Sequence, residues 1–199
     1  MKILFISLGC DKNLADSEEM LGLLTANGHE IVDSEEEADA IVINTCCFIH
    51  DAKEESVNTI LEMAEYKKSG ICKVLIVTGC MAQRYKEEII QEIPEVDAVL
   101  GTTSYGDIVK ALNEVQAGNI FQEFRDINEL PEDCGHRVIT TGGHFGYLKI
   151  AEGCDKHCTY CIIPSLRGKF RSVPEERLLK QAEYMASQGV RELILVAQE

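Results

Sequence analysis

The stretch CDKHCTYC, residues 154–161, sets Cys154, Cys158 and Cys161 at spacings of four and three. Thiolates held this closely suit a metal or redox centre. A structural zinc site takes four ligands in a tetrahedron, and three cysteines leave it one short unless His157 or a distant group completes it. Disulfides need an even count. An iron–sulfur cube offers four iron corners, normally held by thiolates, so three cysteines leave one iron open to a small chelating ligand.

Three further cysteines share a local design. ILFISLGC (3–10), AIVINTC (40–46) and VLIVTGC (74–80) each run from a short apolar stretch through a turn residue into Cys10, Cys46 or Cys80, and YLKIAEGC (147–154) leads into Cys154 in the same way. Runs this short and this rich in Ile, Val and Leu are those of strands buried on both faces. If the first three are parallel neighbours, their thiols converge on one crevice beyond the strand ends, where ligands of such sheets sit. The competing reading is that each is a small buried hydrophobe, as free cysteine commonly is.

The intervening segments carry helical patterns. Residues 14–27 space Leu14, Met20, Leu21 and Leu24 on one side, and residues 51–69 space Val57, Ile60, Leu61 and Ala64 similarly, with Asp51 as N-cap and Gly70 after the end. Further helices are predicted over Gln83 to Ile93 and Tyr105 to Gln116, and a short strand over 97–101. The fold class is therefore α/β, with an N-terminal parallel-sheet domain over residues 1–117. Residues 118–145 lack periodicity and read as a linker. A second unit over 146–199 holds a strand, the cysteine loop, a helix over 174–188 and a strand over 191–198. This is one βαβ with an open edge, and because a lone βαβ cannot cover its own sheet, the unit looks cut short.

The chain of 199 residues is 45% hydrophobic and 27% charged, with nine cysteines and net charge −15. No apolar run approaches the ~20 residues of a membrane span, and none matches a secretory signal. Both point to a reducing cytoplasm and against disulfides. Residues 1–145 carry 27 acidic and 11 basic side chains, a balance that repels phosphate backbones and argues against DNA as a partner. Arg167, Lys169 and Arg171 form a basic cluster, read either as surface charge or as a contact to substrate or cofactor. Cys47, Cys72 and Cys134 read as spectators, Cys134 with His136 is a weak zinc signal, and His29, His50 and His144 have no evident partner.

Taken together, SLGCDKNLADSE (7–18), INTCCFIHDAKEES (43–56), VTGCMAQRY (77–85) and YLKIAEGCDKHCTYCIIPSLRGKFRS (147–172) resemble the motifs of the radical S-adenosylmethionine (SAM) methylthiotransferases. That resemblance implies an N-terminal methylthiotransferase domain followed by the first βαβ of a truncated radical-SAM, TIM-like barrel. It implies two [4Fe–4S] clusters, one on Cys10, Cys46 and Cys80 and one on Cys154, Cys158 and Cys161, with Tyr160 near the SAM adenine. SAM would serve both as methyl donor and as radical source, and an electron donor such as flavodoxin or ferredoxin is implied. SLGCDKN and CIIPSLRGKFRS resemble the branch that modifies an aspartate β-carbon in a basic small-subunit ribosomal protein. The alternatives are the branch that modifies adenosine in tRNA, and a non-enzymatic iron–sulfur redox protein. The sequence departs from the family pattern at Cys47, where glycine is common, at TTGGH (140–144), where proline is frequent, and at Val173, where arginine is usual. The resemblance leaves the 199 residues without most of the barrel, so turnover by this segment alone is not expected.

Overall fold

A computed structural model describes all residues except 133, 134 and 136. The Cys134 and His136 readings fall outside the described residues. Six parallel strands form one sheet in the order β2-β1-β3-β4-β5-β6: β1 Lys2–Ser7, β2 Glu30–Val32, β3 Ala40–Thr45, β4 Val74–Gly79, β5 Ala98–Leu100 and β6 Phe121–Glu123. Between them run α1 Asp11–Ala26, α2 His50–Lys68, α3 Cys80–Tyr85, α4 Glu87–Glu92 and α5 Ile108–Gln116. The pleat explains the unbroken apolar runs. Along β3, Ala40 and Val42 pack with α1 and α5 residues such as Met20, Leu24 and Leu112, whereas Ile41 and Ile43 pack on the other face with Ile60, Met63 and Ile89. Both faces are buried, so no polar alternation appears in the sequence.

Four details differ from the sequence reading. Strands β2 and β6 join the sheet, and β6 lies inside the stretch expected as linker, pairing Val99 with Gln122. Both are three-residue strands at the sheet edges, too short to show a period. Helix α1 begins at Asp11, directly after Cys10, rather than at residue 14. The single helix expected over Gln83 to Ile93 is two: α3 starts at Cys80, and Lys86, at φ 39°, breaks the chain before α4. Ile49 rather than Asp51 is the N-cap of α2, and Asp51 sits in its first turn, where its charge suits the helix dipole.

The second segment contains β7 Phe145–Lys149, β8 Ala151–Glu152, α6 Ile163–Arg167, β9 Arg171–Ser172, α7 Glu175–Ser187 and β10 Glu192–Val196. β7 pairs in parallel with β10, the expected βαβ, and β8 pairs antiparallel with β9. Its own core is small, formed by Leu148, Met185 and Val190, and β10 leaves Leu195 61% exposed. Apolar and polar contacts fix this segment and the stretch before it to the sheet domain: Leu166 belongs to the same buried cluster as Ile41 and Ile43, and Lys149 and Arg167 pair with Asp16. Arg137 donates to Glu18 Oε2 through Nε at 2.9 Å and Nη2 at 2.7 Å, and the Thr140 amide donates to Glu18 Oε1 at 2.7 Å. No helix among the described residues is long and apolar enough to cross a membrane.

Candidate iron–sulfur site at the domain junction

Strand order reverses between β1 and β3, the switch point at which open α/β sheets bind ligands. Cys10 follows β1, Cys46 follows β3 and Cys80 follows β4, so the three cysteines end three adjacent strands. They line one cavity of about 440 Å³. Its opposite wall comes from the second segment: Ile163, Leu166, Arg167 and the stretch Val196 to Gln198. Cys10 is exposed, whereas Cys46 and Cys80 are buried.

The glycines before the cysteines make the turns. Gly79 has φ 91°, and a Cβ there would overlap Asn44 Oδ1 and lie 2.5 Å from the Thr45 carbonyl oxygen. Only glycine lets β4 turn into α3 at this point. Gly153, at φ 73°, does the same before Cys154, packed against the backbone of Gly168 and Lys169.

The residues after Cys10 are buried for a reason the sequence did not disclose. The Asn13 amide donates to the Leu8 carbonyl at 3.0 Å and the Thr45 carbonyl at 2.9 Å, tying together the strand ends that lead to Cys10 and Cys46. Lys12 Nζ reaches across to the Ala151 carbonyl and lies 3.4 Å from Glu152 Oε2. Asp16 accepts from Arg167 Nη1 at 2.7 Å and from Lys149. Lys149 also pairs with Glu152 at 2.7 Å. Thus Lys12, Lys149 and Arg167 are interleaved with Asp16 and Glu152 in a buried network at the junction.

Electrostatics follow from this burial. Desolvation opposes the charge on Lys149, but Asp16, Glu152 and Glu19 overcome it and raise its pKa. Burial likewise opposes ionisation of Glu152, but Lys149, Arg167 and Lys12 hold it below the usual carboxylate range. Lys12 is lowered to about 8 because its desolvation outweighs Glu152. Burial pushes the Cys80 thiol up, and Arg167 opposes that rise. Burial and the neighbouring Cys80 push Cys47 up to about 11.

Sequence reasoning placed the cysteines but missed Asn13, Asp16, Lys149 and Glu152. It read Arg167, Lys169 and Arg171 either as surface charge or as a contact to substrate or cofactor, and for Arg167 the surface reading is corrected. Arg167 is 3% exposed, whereas Lys169 is exposed. The available signal was complementary charge on two separate segments, DKNLAD and KIAE, which no single-segment period reveals. The acidic excess of the chain does not line the cavity either: its charged wall residues are Asp11, Lys12 and Arg167.

In the second cysteine set, Cys154 is buried, Cys158 exposed and Cys161 half-buried, on a loop without regular structure. The Lys156 amide lies 3.4 Å from Cys154 Sγ, and the Cys161 amide donates to the Cys158 carbonyl at 3.0 Å. Tyr160 is 87% exposed. Among the described residues, no three His, Cys, Asp or Glu side chains are spaced for a single metal ion. A cluster asks for something different: thiols spread around a cavity rather than gathered on one point. The donor chemistry of both sets fits an iron–sulfur cluster.

Residues 2–101, the part carrying Cys10, Cys46 and Cys80, match the model of the uncharacterized protein family UPF0004. The chain belongs to family UPF0004. In this UPF0004 chain, residues 148–199 match the radical SAM superfamily. It is similar to proteins named ribosomal protein uS12 methylthiotransferase RimO: 65% identical over 199 residues to that of Lachnoclostridium phytofermentans, 50% over 210 residues to that of Acetivibrio thermocellus, and 49% over 199 residues to that of Clostridioides difficile. Each alignment covers 100% of this chain and 45% of the relative, so the chain spans a little under half their length. Among solved structures, the radical S-adenosylmethionine methyltransferase TsrM from Kitasatospora setae shares the fold. Its TM-score is 0.58 at 12% identity, covering 100% of this chain and 48% of that one.

Proposed function

We propose that the whole protein is a radical-SAM methylthiotransferase that adds a methylthio group to the β-carbon of an aspartate in the ribosomal protein uS12. The observation that carries this reading is the cavity itself. Cys10, Cys46 and Cys80 occupy one wall, and Ile163, Leu166, Arg167 and Val196 to Gln198 of the radical-SAM-matching segment, which also carries the second cysteine set, occupy the other. The naming of relatives 49–65% identical across the whole chain supports the substrate.

In this reading Cys10, Cys46 and Cys80 hold one [4Fe–4S] cluster, and Cys154, Cys158 and Cys161 hold another. Each set offers three thiolates and so leaves one iron open. Bound there, the clusters and SAM supply the radical that activates the substrate carbon and the sulfur that is transferred. The chain's own contribution is placement. Gly79 and Gly153 turn their cysteines out of the strands, Asn13 ties two strand ends together, and the buried network of Asp16, Lys149, Glu152 and Arg167 fixes the distance between the two cysteine sets. Tyr160, exposed beside Cys161, is available to the adenine of SAM. The partners are uS12 and a flavodoxin- or ferredoxin-type electron donor, in the cytoplasm where ribosomal proteins are met.

The test supplies the full-length, anaerobically reconstituted protein with uS12 and, separately, with tRNA under reducing conditions. Mass spectrometry should find the methylthio mass increase on the uS12 aspartate. An increase on tRNA nucleosides alone would overturn the substrate, and no increase on either would overturn the activity.

A further inference from the structure

Arg167 closes α6, in the radical-SAM-matching segment, yet its guanidinium is buried against the other domain. Nη1 donates to Asp16 Oδ2 at 2.7 Å and Nη2 to Asn13 Oδ1 at 2.6 Å. Asn13 is itself locked by the carbonyls of Leu8 and Thr45, so the guanidinium is held in register with the turns leading to Cys10 and Cys46. Arg167 also lines the three-cysteine cavity together with Cys80, and Asn13 Oδ1, which accepts its Nη2, lies 3.8 Å from the Cys80 sulfur. Of its five N–H donors, Asp16 and Asn13 engage two, which leaves donors for a sulfur acceptor. Burial keeps this cation poorly screened.

We propose that Arg167 is a positioning residue for the three-cysteine site: it carries a fixed positive charge across the domain junction to the Cys80 sulfur and thereby raises the reduction potential of the cluster held there. The proposal rests on the reading that Cys10, Cys46 and Cys80 hold an iron–sulfur cluster. Hydrogen bonds to cluster sulfurs and nearby charge are the levers by which a protein sets such a potential. Reduction adds negative charge, and a buried cation beside a ligand sulfur stabilises that state. A residue that merely fastened two domains together would leave the potential where it was.

The experiment follows the potential by EPR-monitored titration in the full-length protein with Cys154, Cys158 and Cys161 changed to alanine, so that a single cluster reports. Arg167→Gln should lower the reduced-to-oxidised ratio at fixed solution potential about tenfold, or about 59 mV for a one-electron couple. Arg167→Lys keeps the charge but loses the fork that binds Asp16 and Asn13 together, and should shift the potential in the same direction by less. Lys169→Gln removes an equal charge from an exposed position two residues away and should not move it. A parental potential in Arg167→Gln overturns the proposal. Should that variant fail to load its cluster, a parental potential in Arg167→Lys does so instead. A parent protein with no cluster that depends on Cys10, Cys46 and Cys80 overturns the underlying reading, and the proposal with it.

Discussion

The carboxylate of Asp16 lies 2.7 Å from the Arg167 guanidinium, although the two residues are 151 positions apart in the sequence, and both are nearly inaccessible to water. Lys149 takes the other oxygen of the same carboxylate. Replacing Asp16 by alanine takes a shared carboxylate from two buried cations and leaves Glu152 as their common counter-ion, and removing one partner of a buried pair typically costs about 3–5 kcal/mol. Asp16→Ala should therefore destabilise the protein on that scale in chemical denaturation. Glu37→Ala, which breaks the exposed pair with Lys2, should cost about 1 kcal/mol or less. Equal effects of the two changes would refute a structural role for the junction network.

Gly79 and Gly70 both have positive φ, 91° and 82°, but differ in surroundings. Gly70 has nothing within 4 Å of a Cβ position, whereas at Gly79 a Cβ meets Asn44 and Thr45. Gly70→Ala should cost only the conformational penalty, on the order of 1–2 kcal/mol. Gly79→Ala must also displace backbone beside Cys80, so it should lower stability further and reduce the iron retained after reconstitution. Retention of full iron content in Gly79→Ala would show that the turn does not position Cys80.

The strands that carry chemistry were legible because they are buried on both faces. Ile41 and Val42 face opposite cores, and a strand of that kind is an apolar run bounded by turn residues. The glycine-cysteine pairs were legible for a related reason, since a turn must leave the strand before a thiol can reach the crevice. The junction was not legible. Asp16, Glu18 and Glu19 sit on a helix and look like a solvated acidic face until Lys149, Arg137 and Arg167 arrive from more than a hundred residues away. Short edge strands such as β2 and β6 are set by pairing with neighbours rather than by their own three residues.

Glu19 gives the junction a pH dependence of definite sign. Burial raises its pKa despite Lys149 nearby, so the folded state binds this proton more tightly than the unfolded chain. A raised carboxyl pKa makes stability fall as pH rises from the unfolded value, about 4.3, through the folded one. Glu19→Gln removes this contribution and still offers an oxygen to the Tyr105 hydroxyl, which donates to Glu19 at 2.9 Å. The stability of Glu19→Gln relative to the parent should therefore increase between about pH 4 and pH 7 in parallel denaturation curves. A constant difference across that range would show that Glu19 does not titrate abnormally.

Thiol reactivity before reconstitution should separate the cysteines by position. Alkylation requires a thiolate that reagent can reach. Cys10 and Cys158 are exposed, Cys161 is half-buried, and Cys46, Cys47, Cys72, Cys80 and Cys154 are buried. Cys47, Cys72 and Cys80 are further suppressed, because burial raises all three pKa values, that of Cys47 to about 11. Brief iodoacetamide treatment of the cluster-free protein at neutral pH, followed by peptide mass spectrometry, should label Cys10 and Cys158 first and Cys47, Cys72 and Cys80 last. After reconstitution, Cys10 and Cys158 should become protected while Cys47 and Cys72 keep their slow rates, since neither belongs to a proposed cluster. Persistent fast labelling of Cys10 in protein that has taken up iron and sulfide would remove it from the ligand set, and with it the three-thiol site at the strand ends.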